Sequence, residues 1–277
     1  MDHVEKTPVV ARPAATVVIA RDNAGELEIL LAKRAQSMRF MAGAHVFPGG
    51  AVHASDAAEQ LLTVTKHTAL PWPATDATGV TSDAAHVWAA VRETLEEVGL
   101  LLACDGVTEA TLQQLRTRVR EGGSLAEGLL AAQLQLDLSR LIALIRWITP
   151  ASEPMRFDTR FYVVAAPSDQ TPEADGCETS AAAWWTPRAA LAATEDGAMI
   201  LPPPTLSTLR LLAGFDSVTQ VLAHATSQPV VTVEPVIHTT PEGERVIVYP
   251  EAFQKQLLFK SHSASRNSPT EPPKTTS

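Results

Sequence analysis

The sequence predicts an α/β fold in which a mixed β-sheet carries helices on its faces. Two observations lead there. Runs with strand character and runs with helical periodicity follow one another without the strict βα alternation of an all-parallel sheet. The chain of 277 residues, 45 % hydrophobic, is long enough to bury the core of one large domain, while its apolar runs are too short to cross a bilayer. One domain with insertions is expected over residues 12–260, between polar, disordered ends at 1–11 and 261–277.

The elements follow in order. "AATVVIA" (Ala14 to Ala20) and "LEILLAKR" (Leu27 to Arg34) are strand-like, and "RDNAGE" between them has the Asp, Asn and Gly of a turn, so they form a hairpin. "HVFPGGAV" ends a short strand in a Pro-Gly-Gly turn. A helix opens near Ser82 and Asp83, either of which can cap it, and runs to Gly99. "LLLAC" after Gly99 reads as a strand, and Thr108 to Arg120 and Ser124 to Gln133 as two helices parted by "EGG", within a helical insertion at about 105–140. "LIALIRWITP" and "TRFYVVAAP" are strands, and Thr186 with Pro187 opens a further helix as N-cap and first position. "PPPTLSTLRLLAGF" repeats that opening, and the late strands "VVTVEPVIHT" and "RVIVYP" flank "TPEGE" as a second hairpin.

Charge and composition exclude several classes. A net charge of -9 opposes broad binding to nucleic acid or to a membrane surface, both of which need a basic face. Cys104 and Cys177 lack metal-ligand spacing, and two cysteines make no disulfide framework. The start, "MDHVEKTPVV", has no apolar core of a signal peptide, and the end matches no retention address, so a cytoplasmic location is expected. Dimerisation is left open.

The helix that ends at Gly99 contains an electrostatic conflict. "VRETLEEVGL" places Glu93, Glu96 and Glu97 within five residues and contains no lysine. At about 100° per residue, with Arg92 at zero, the three acids fall between roughly 40° and 140°. Val87, Val91, Thr94, Leu95 and Val98 fall at roughly 200° to 300°, so one side packs and the other is anionic. Like-charge pairs at three and four residues cost about 0.2–0.5 kcal/mol each. Acids in the last turn oppose the macrodipole by about 0.3–1 kcal/mol more. Local conflict of this kind marks sites where function overrides propensity, although an acidic face can also be merely solvated. A divalent cation would reverse the sign of the conflict, and carboxylates on one rigid helix suit Mg²⁺ or Mn²⁺.

"PGG" followed by "RETLEEVGL" resembles the Nudix box: glycine, five residues, glutamate, seven residues, then Arg-Glu-aliphatic-x-Glu-Glu-x-Gly-aliphatic. On that pattern Gly50 is the box glycine, Asp56 stands where the first glutamate belongs, and Arg92 to Leu100 fill the second half. There are two departures. Residues 57–91 separate the halves in place of seven, and Thr94 replaces an aliphatic residue. A long-insertion branch of the family, similar to the coenzyme A diphosphatases of animal peroxisomes and mitochondria, also has sequences like "AHVFPGG", "WITP…RFDTRFYV" and "WWTP". The resemblance runs from about Ala14 to Phe253 and is weakest in an insertion at about 57–84 and in the helical one.

The resemblance implies an α/β/α sandwich with a mixed sheet and two insertions. It also implies a diphosphatase that uses Mg²⁺ or Mn²⁺ on a nucleoside diphosphate derivative, with coenzyme A or acyl-coenzyme A as the leading substrate. ADP-ribose, a dinucleotide or a nucleotide sugar are alternatives, as is a module that senses nucleotides without cleaving them. Glu93, Glu96 and Glu97 would be metal ligands, with Glu93 the acid that can also act as base and Arg92 its ion-paired support. Gly49 and Gly50 would let backbone approach metal and phosphate, with a carbonyl of the turn as a further ligand. Glu178 would be a fourth acid, or else an exposed loop residue. Arg34 and Arg39 could meet an extra phosphate of the substrate, and Arg156 and Arg160 form a second basic pair for substrate contact. His45, His53 and His86 are assigned no role, and Trp147, Trp184 and Trp185 are read as core or edge.

Overall fold

The computed structural model describes residues 9–39, 41–66, 83–240 and 242–255. Strands β1 (Arg12–Asn23) and β2 (Glu26–Arg34) form the expected hairpin around Ala24 and Gly25. Their centres, Val17 to Ala20 and Ile29 to Ala32, are almost wholly buried. Near-continuous apolar runs are what a strand covered on both faces requires.

The hairpin then forks. β1 pairs with β2 only from Ala20 to Asn23, and its first half pairs instead with β4 (Gly49–Ala51), Ala15 opposite Gly50. The second half of β2 takes β3 (His45–Val46). Phe47 and Pro48 join β3 to β4 across the fork, so the Pro-Gly-Gly turn is pinned where two strands diverge.

β5 (Ile142–Ile148) and β6 (Phe157–Ala165) are antiparallel, and β6 lies parallel to β1 along nine register pairs, Arg12 to Ala20. β7 (Thr179–Trp185) covers the other edge of β2, and β8 (Val231–Val233) runs parallel to β5. The sheet order is β3-β2-β1-β6-β5-β8, with β4 on β1 and β7 on β2.

Each face has its own core. On one side lie α1 (Gln60–Thr63), α2 (Asp83–Val98), α3 (Glu109–Arg120) and α4 (Leu125–Ala131), on the other α5 (Pro187–Glu195), α6 (Pro203–Leu212) and α7 (Val218–Ser227). This is the expected sandwich. The helical wheel of α2 holds as well, because Val87, Val91, Thr94, Leu95 and Val98 are completely buried. The Thr94 hydroxyl donates to the Ala90 carbonyl at 2.8 Å, which satisfies it inside the core. Thr186 caps α5 and Pro187 opens it, as expected.

Several readings change. Leu100 to Cys104 is not a strand but a buried irregular connection, because the chain turns at Gly99 (φ 69) and Ala103 (φ 60) beneath the helical insertion. "VVTVEPVIHT" is two strands: Glu234–Pro235 breaks it, β8 stays in the main sheet, and β9 (Val236–Thr239) pairs with β10 (Arg245–Val248) in the expected hairpin. The segment before the tryptophans contains a strand, β7, that its alanines concealed. The expected cap Ser82, residues 67–82 of the insertion, residues 1–8 of the N-terminal end and the tail from 256 lie outside the described residues.

Candidate active site

The site forms where α2 crosses the fork. Val17 N–H donates to the Pro48 carbonyl and Val52 N–H to the Pro13 carbonyl, so the Ala15–Gly50 pair between them faces β1. Gly49 and Ala51 therefore turn their polar groups toward α2. The Gly49 amide donates to Glu97 Oε2 at 3.0 Å, and the Ala51 carbonyl accepts from Arg92 at 3.0 Å. Both glycines are required by close approach. A Cβ at Gly49, whose φ is 153°, would lie 2.2 Å from the Ala15 carbonyl oxygen, and one at Gly50 would lie 2.4 Å from the Glu93 carboxylate.

Arg92 organises the acids. Its Nε and a terminal nitrogen bind Asp56 at 2.8 and 2.9 Å as a buried bidentate pair, and its other nitrogen reaches Glu93 at 3.0 Å and Glu96 at 3.2 Å. The His53 amide holds the second Asp56 oxygen at 2.8 Å. Asp56, expected where the first box glutamate belongs, thus works through Arg92. Its short side chain reaches because the 3-10 turn Ala54–Ala57 is packed against α2.

The acids are placed against their ionised form. Burial pushes Glu97 from 4.5 up to about 8, aided by Glu93 and Glu178 and opposed by the Gly49 amide and Arg34. Burial likewise raises Glu93 to about 7 despite Arg92, and raises Glu96. Arg34 and Glu178 thus act on Glu97 through charge. Glu178 is itself exposed, with its carbonyl bonded to the Ala35 amide at the end of β2.

The basic residues divide. Arg160, 4 % exposed, shares a row of the sheet with Ala15 and Gly50, and projects from the same face as Tyr162, the α2 face. Arg39 is exposed on the loop after β2, whose base is closed by backbone bonds between Arg34 and Ala44 and between Gly43 and Arg34. Arg156 is committed elsewhere: its nitrogens bind the Thr149 carbonyl at 3.0 Å, the Val9 carbonyl at 2.8 Å and Glu234 at 2.7 Å. It tethers the start of β1 and the Glu234–Pro235 break.

Sequence reasoning missed two residues. Arg116, from the helical insertion, donates to the Glu96 and Glu97 carbonyls, and Asp175 gathers the amides of Cys177, Glu178 and Thr179 at 3.0, 3.1 and 2.8 Å. Arg116 had a signal: it lies among Leu112, Leu115 and Val119 on the buried stripe of α3. Asp175 had only an Asp-Gly dipeptide.

A family model for the NUDT19 Nudix domain matches residues 72–212, half of the chain. The chain is a Nudix hydrolase. It is similar to the acyl-coenzyme A diphosphatase NUDT19 of Xenopus laevis, at 23 % identity over 89 % of this chain and 79 % of the relative. The Gallus gallus NUDT19 is 27 % identical over 74 % of this chain and 69 % of its own. The crystal structure of a Nudix hydrolase from Alicyclobacillus acidocaldarius matches with a TM-score of 0.68 and 31 % identity, covering 79 % of this chain and 99 % of that one. This Nudix hydrolase is therefore an enzyme acting on diphosphate bonds, with an interrupted box whose halves the fold reunites.

Nudix chemistry generally uses a divalent cation, and the residues present suit one. Among the described residues no three His, Cys, Asp or Glu side chains form a ready cage, since Glu93 and Glu96 lean on Arg92 and Glu97 on the Gly49 amide. The donors are all oxygen, burial holds Glu93 and Glu97 against ionisation in a way that a cation would relieve, and the missing Cβ of Gly50 is what lets the Glu93 carboxylate lie against the turn.

Proposed function

We propose that this Nudix hydrolase cleaves the diphosphate of coenzyme A or an acyl-coenzyme A, giving phosphopantetheine, free or acylated, and adenosine 3′,5′-bisphosphate. The observation that carries the reaction is that Glu97 and Glu93 lie against the Gly49–Gly50 turn, with Glu96 joined to Glu93 through Arg92. Similarity to acyl-coenzyme A diphosphatases along most of the chain supports the substrate.

Glu93, Glu96 and Glu97 would hold Mg²⁺ or Mn²⁺, with the Gly49 carbonyl and Glu178 as further donors. Bound there, the cation would lower the pKa of water and neutralise charge growing on phosphate oxygens. Glu93 fits the proton-accepting role, since it lies against the Gly49–Gly50 turn and Arg92 fixes its carboxylate in place. Gly50 lets the diphosphate approach the backbone. Arg34 and Arg160 supply positive charge beside the acids, and Arg39, on its exposed loop, is assigned to the 3′-phosphate that distinguishes coenzyme A from ADP-ribose.

The test is a panel of coenzyme A, acyl-coenzyme A, ADP-ribose, dinucleotides and nucleotide sugars with Mg²⁺ or Mn²⁺, with products identified by mass spectrometry. Coenzyme A or its thioesters should give the highest kcat/KM, and Glu97→Gln should cleave none at a comparable rate. Arg39→Ala should weaken coenzyme A turnover far more than that of ADP-ribose. Equal losses on both would remove the 3′-phosphate assignment, and a clear preference for another diphosphate would replace the substrate.

A further inference from the structure

The last turn of α2 carries Glu96 and Glu97 at the negative end of the helix, and it contains no basic residue of its own. Its four final carbonyls still have to be satisfied. The Leu95 carbonyl accepts from Gly99 N–H at 3.1 Å, and the Val98 carbonyl from Glu173 N–H at 2.9 Å. The two between them belong to the acids. Arg116 donates to the Glu96 carbonyl through Nε at 3.3 Å and a terminal nitrogen at 3.2 Å, and to the Glu97 carbonyl at 3.3 Å, which also accepts from Asp175 N–H at 3.0 Å. The same guanidinium reaches the Glu173 carbonyl at 2.7 Å.

We infer that Arg116 is a positioning residue for the carboxylate site: a buried cation, carried by the helical insertion, that fixes the last turn of α2 and thereby the aim of Glu96 and Glu97. The inference rests on the metal reading above and deepens it. The arrangement is built for this guanidinium. A Cβ on Gly99 would come within 2.9 Å of an Arg116 nitrogen, so glycine there serves both the positive φ of 69° and the close approach of the cation. The hold extends past α2. Glu173 and Asp175 lie on the strip of chain that Arg116 binds, and the Asp175 carboxylate collects the amides that place Glu178. One side chain from the insertion therefore ties together the two segments that supply the acids, at the end of the helix where a positive charge is favoured by the dipole.

The experiment is isothermal titration of the full, metal-free chain with Mn²⁺ alone, alongside thermal melts and steady-state kinetics. Arg116→Met should weaken Mn²⁺ binding by roughly tenfold, as removal of a partner that orients metal ligands does. It should lower kcat with little change in KM, because Arg116 is not assigned to the substrate. Leu115→Ala is the control: it lies on the same helix, facing Gly128 of α4. It should lower the melting temperature and leave Mn²⁺ affinity unchanged. If Arg116→Met does not fold, Arg116→Lys carries the test, because an ammonium keeps the charge but cannot fork across two carbonyls. Wild-type Mn²⁺ affinity in Arg116→Lys then overturns the inference. So does an Arg116→Met protein that differs from Leu115→Ala in neither Mn²⁺ affinity nor kcat, while the metal reading stands. A wild-type protein that binds no Mn²⁺ overturns both.

Discussion

At Glu97, a buried carboxylate depends on one backbone amide and the charge of Arg34 to favour its ionised form. Its pKa rises from 4.5 when unfolded to about 8 when folded, and that of Glu93 to about 7. For an acid raised in this way, the folded state binds the proton more tightly, so stability is fully present below about 4.5 and is lost as pH climbs through 7 to 8. The metal-free protein should accordingly melt at lower temperature at pH 8 than at pH 5, and Mg²⁺ or Mn²⁺ should narrow the difference. Glu97→Gln should flatten the slope measured by calorimetry across that range. Asp56 poses a different problem, because it neutralises Arg92 inside the protein. Asp56→Ala leaves a buried guanidinium short of its partner and should cost about 3–5 kcal/mol in urea unfolding. It should also lower kcat, since Arg92 then no longer holds Glu93 and Glu96 from a fixed base.

Among the elements, the Gly49–Gly50 strand and α2 must approach more closely than side chains permit. Gly50→Ala puts a methyl 2.4 Å from the Glu93 carboxylate. Kinetics should show kcat falling by about 10²-fold, in keeping with sub-ångström to 1 Å displacement of a reacting group. The loss should be larger with metal limiting than with metal in excess. The partition of α2 into a packed and an acidic side was legible in its sequence, because the 3.6-residue period assigns faces whatever the neighbours are. How the conflict on the acidic side is relieved was not legible. Arg92 answers part of it within the helix, and Arg116 answers the last turn from a helix that begins at Glu109. β7 was hidden for a related reason. Three consecutive alanines have little strand preference of their own, and only the free edge of β2 makes them extended.

The whole molecule joins its two insertions to the functional face. Thr65 of the first bridges to Leu136 of the second, and the Lys66 and Leu136 amides donate across at 2.8 Å each. Leu61, Val64, Leu129 and Leu136 enter the same apolar core as Val91 and Leu95 of α2. The described residues of both insertions thus share the core of α2. Leu129→Ala, at a site with no exposure, should destabilise the entire protein by about 2–5 kcal/mol in a single transition. A separate early unfolding step in calorimetry would show the insertion to be a detached cap.

The sequence by itself determined the sandwich, the hairpin that begins it, the acidic side of α2 and the family resemblance. The hairpin and the acidic side are written in local periodicity and turn chemistry, which act over a few residues, and the sandwich is what the resemblance, carried by the two halves of a split motif, implies. Only the tertiary structure decided that Asp56 meets Arg92 across residues 57–91, that Arg156 ties down strands while Arg160 faces the site, and that Arg116 secures the acids. Those pairings depend on which strand edges and helix ends the fold brings together. A buried charge takes whichever partner the chain delivers within about 3 Å, and no local pattern specifies that partner.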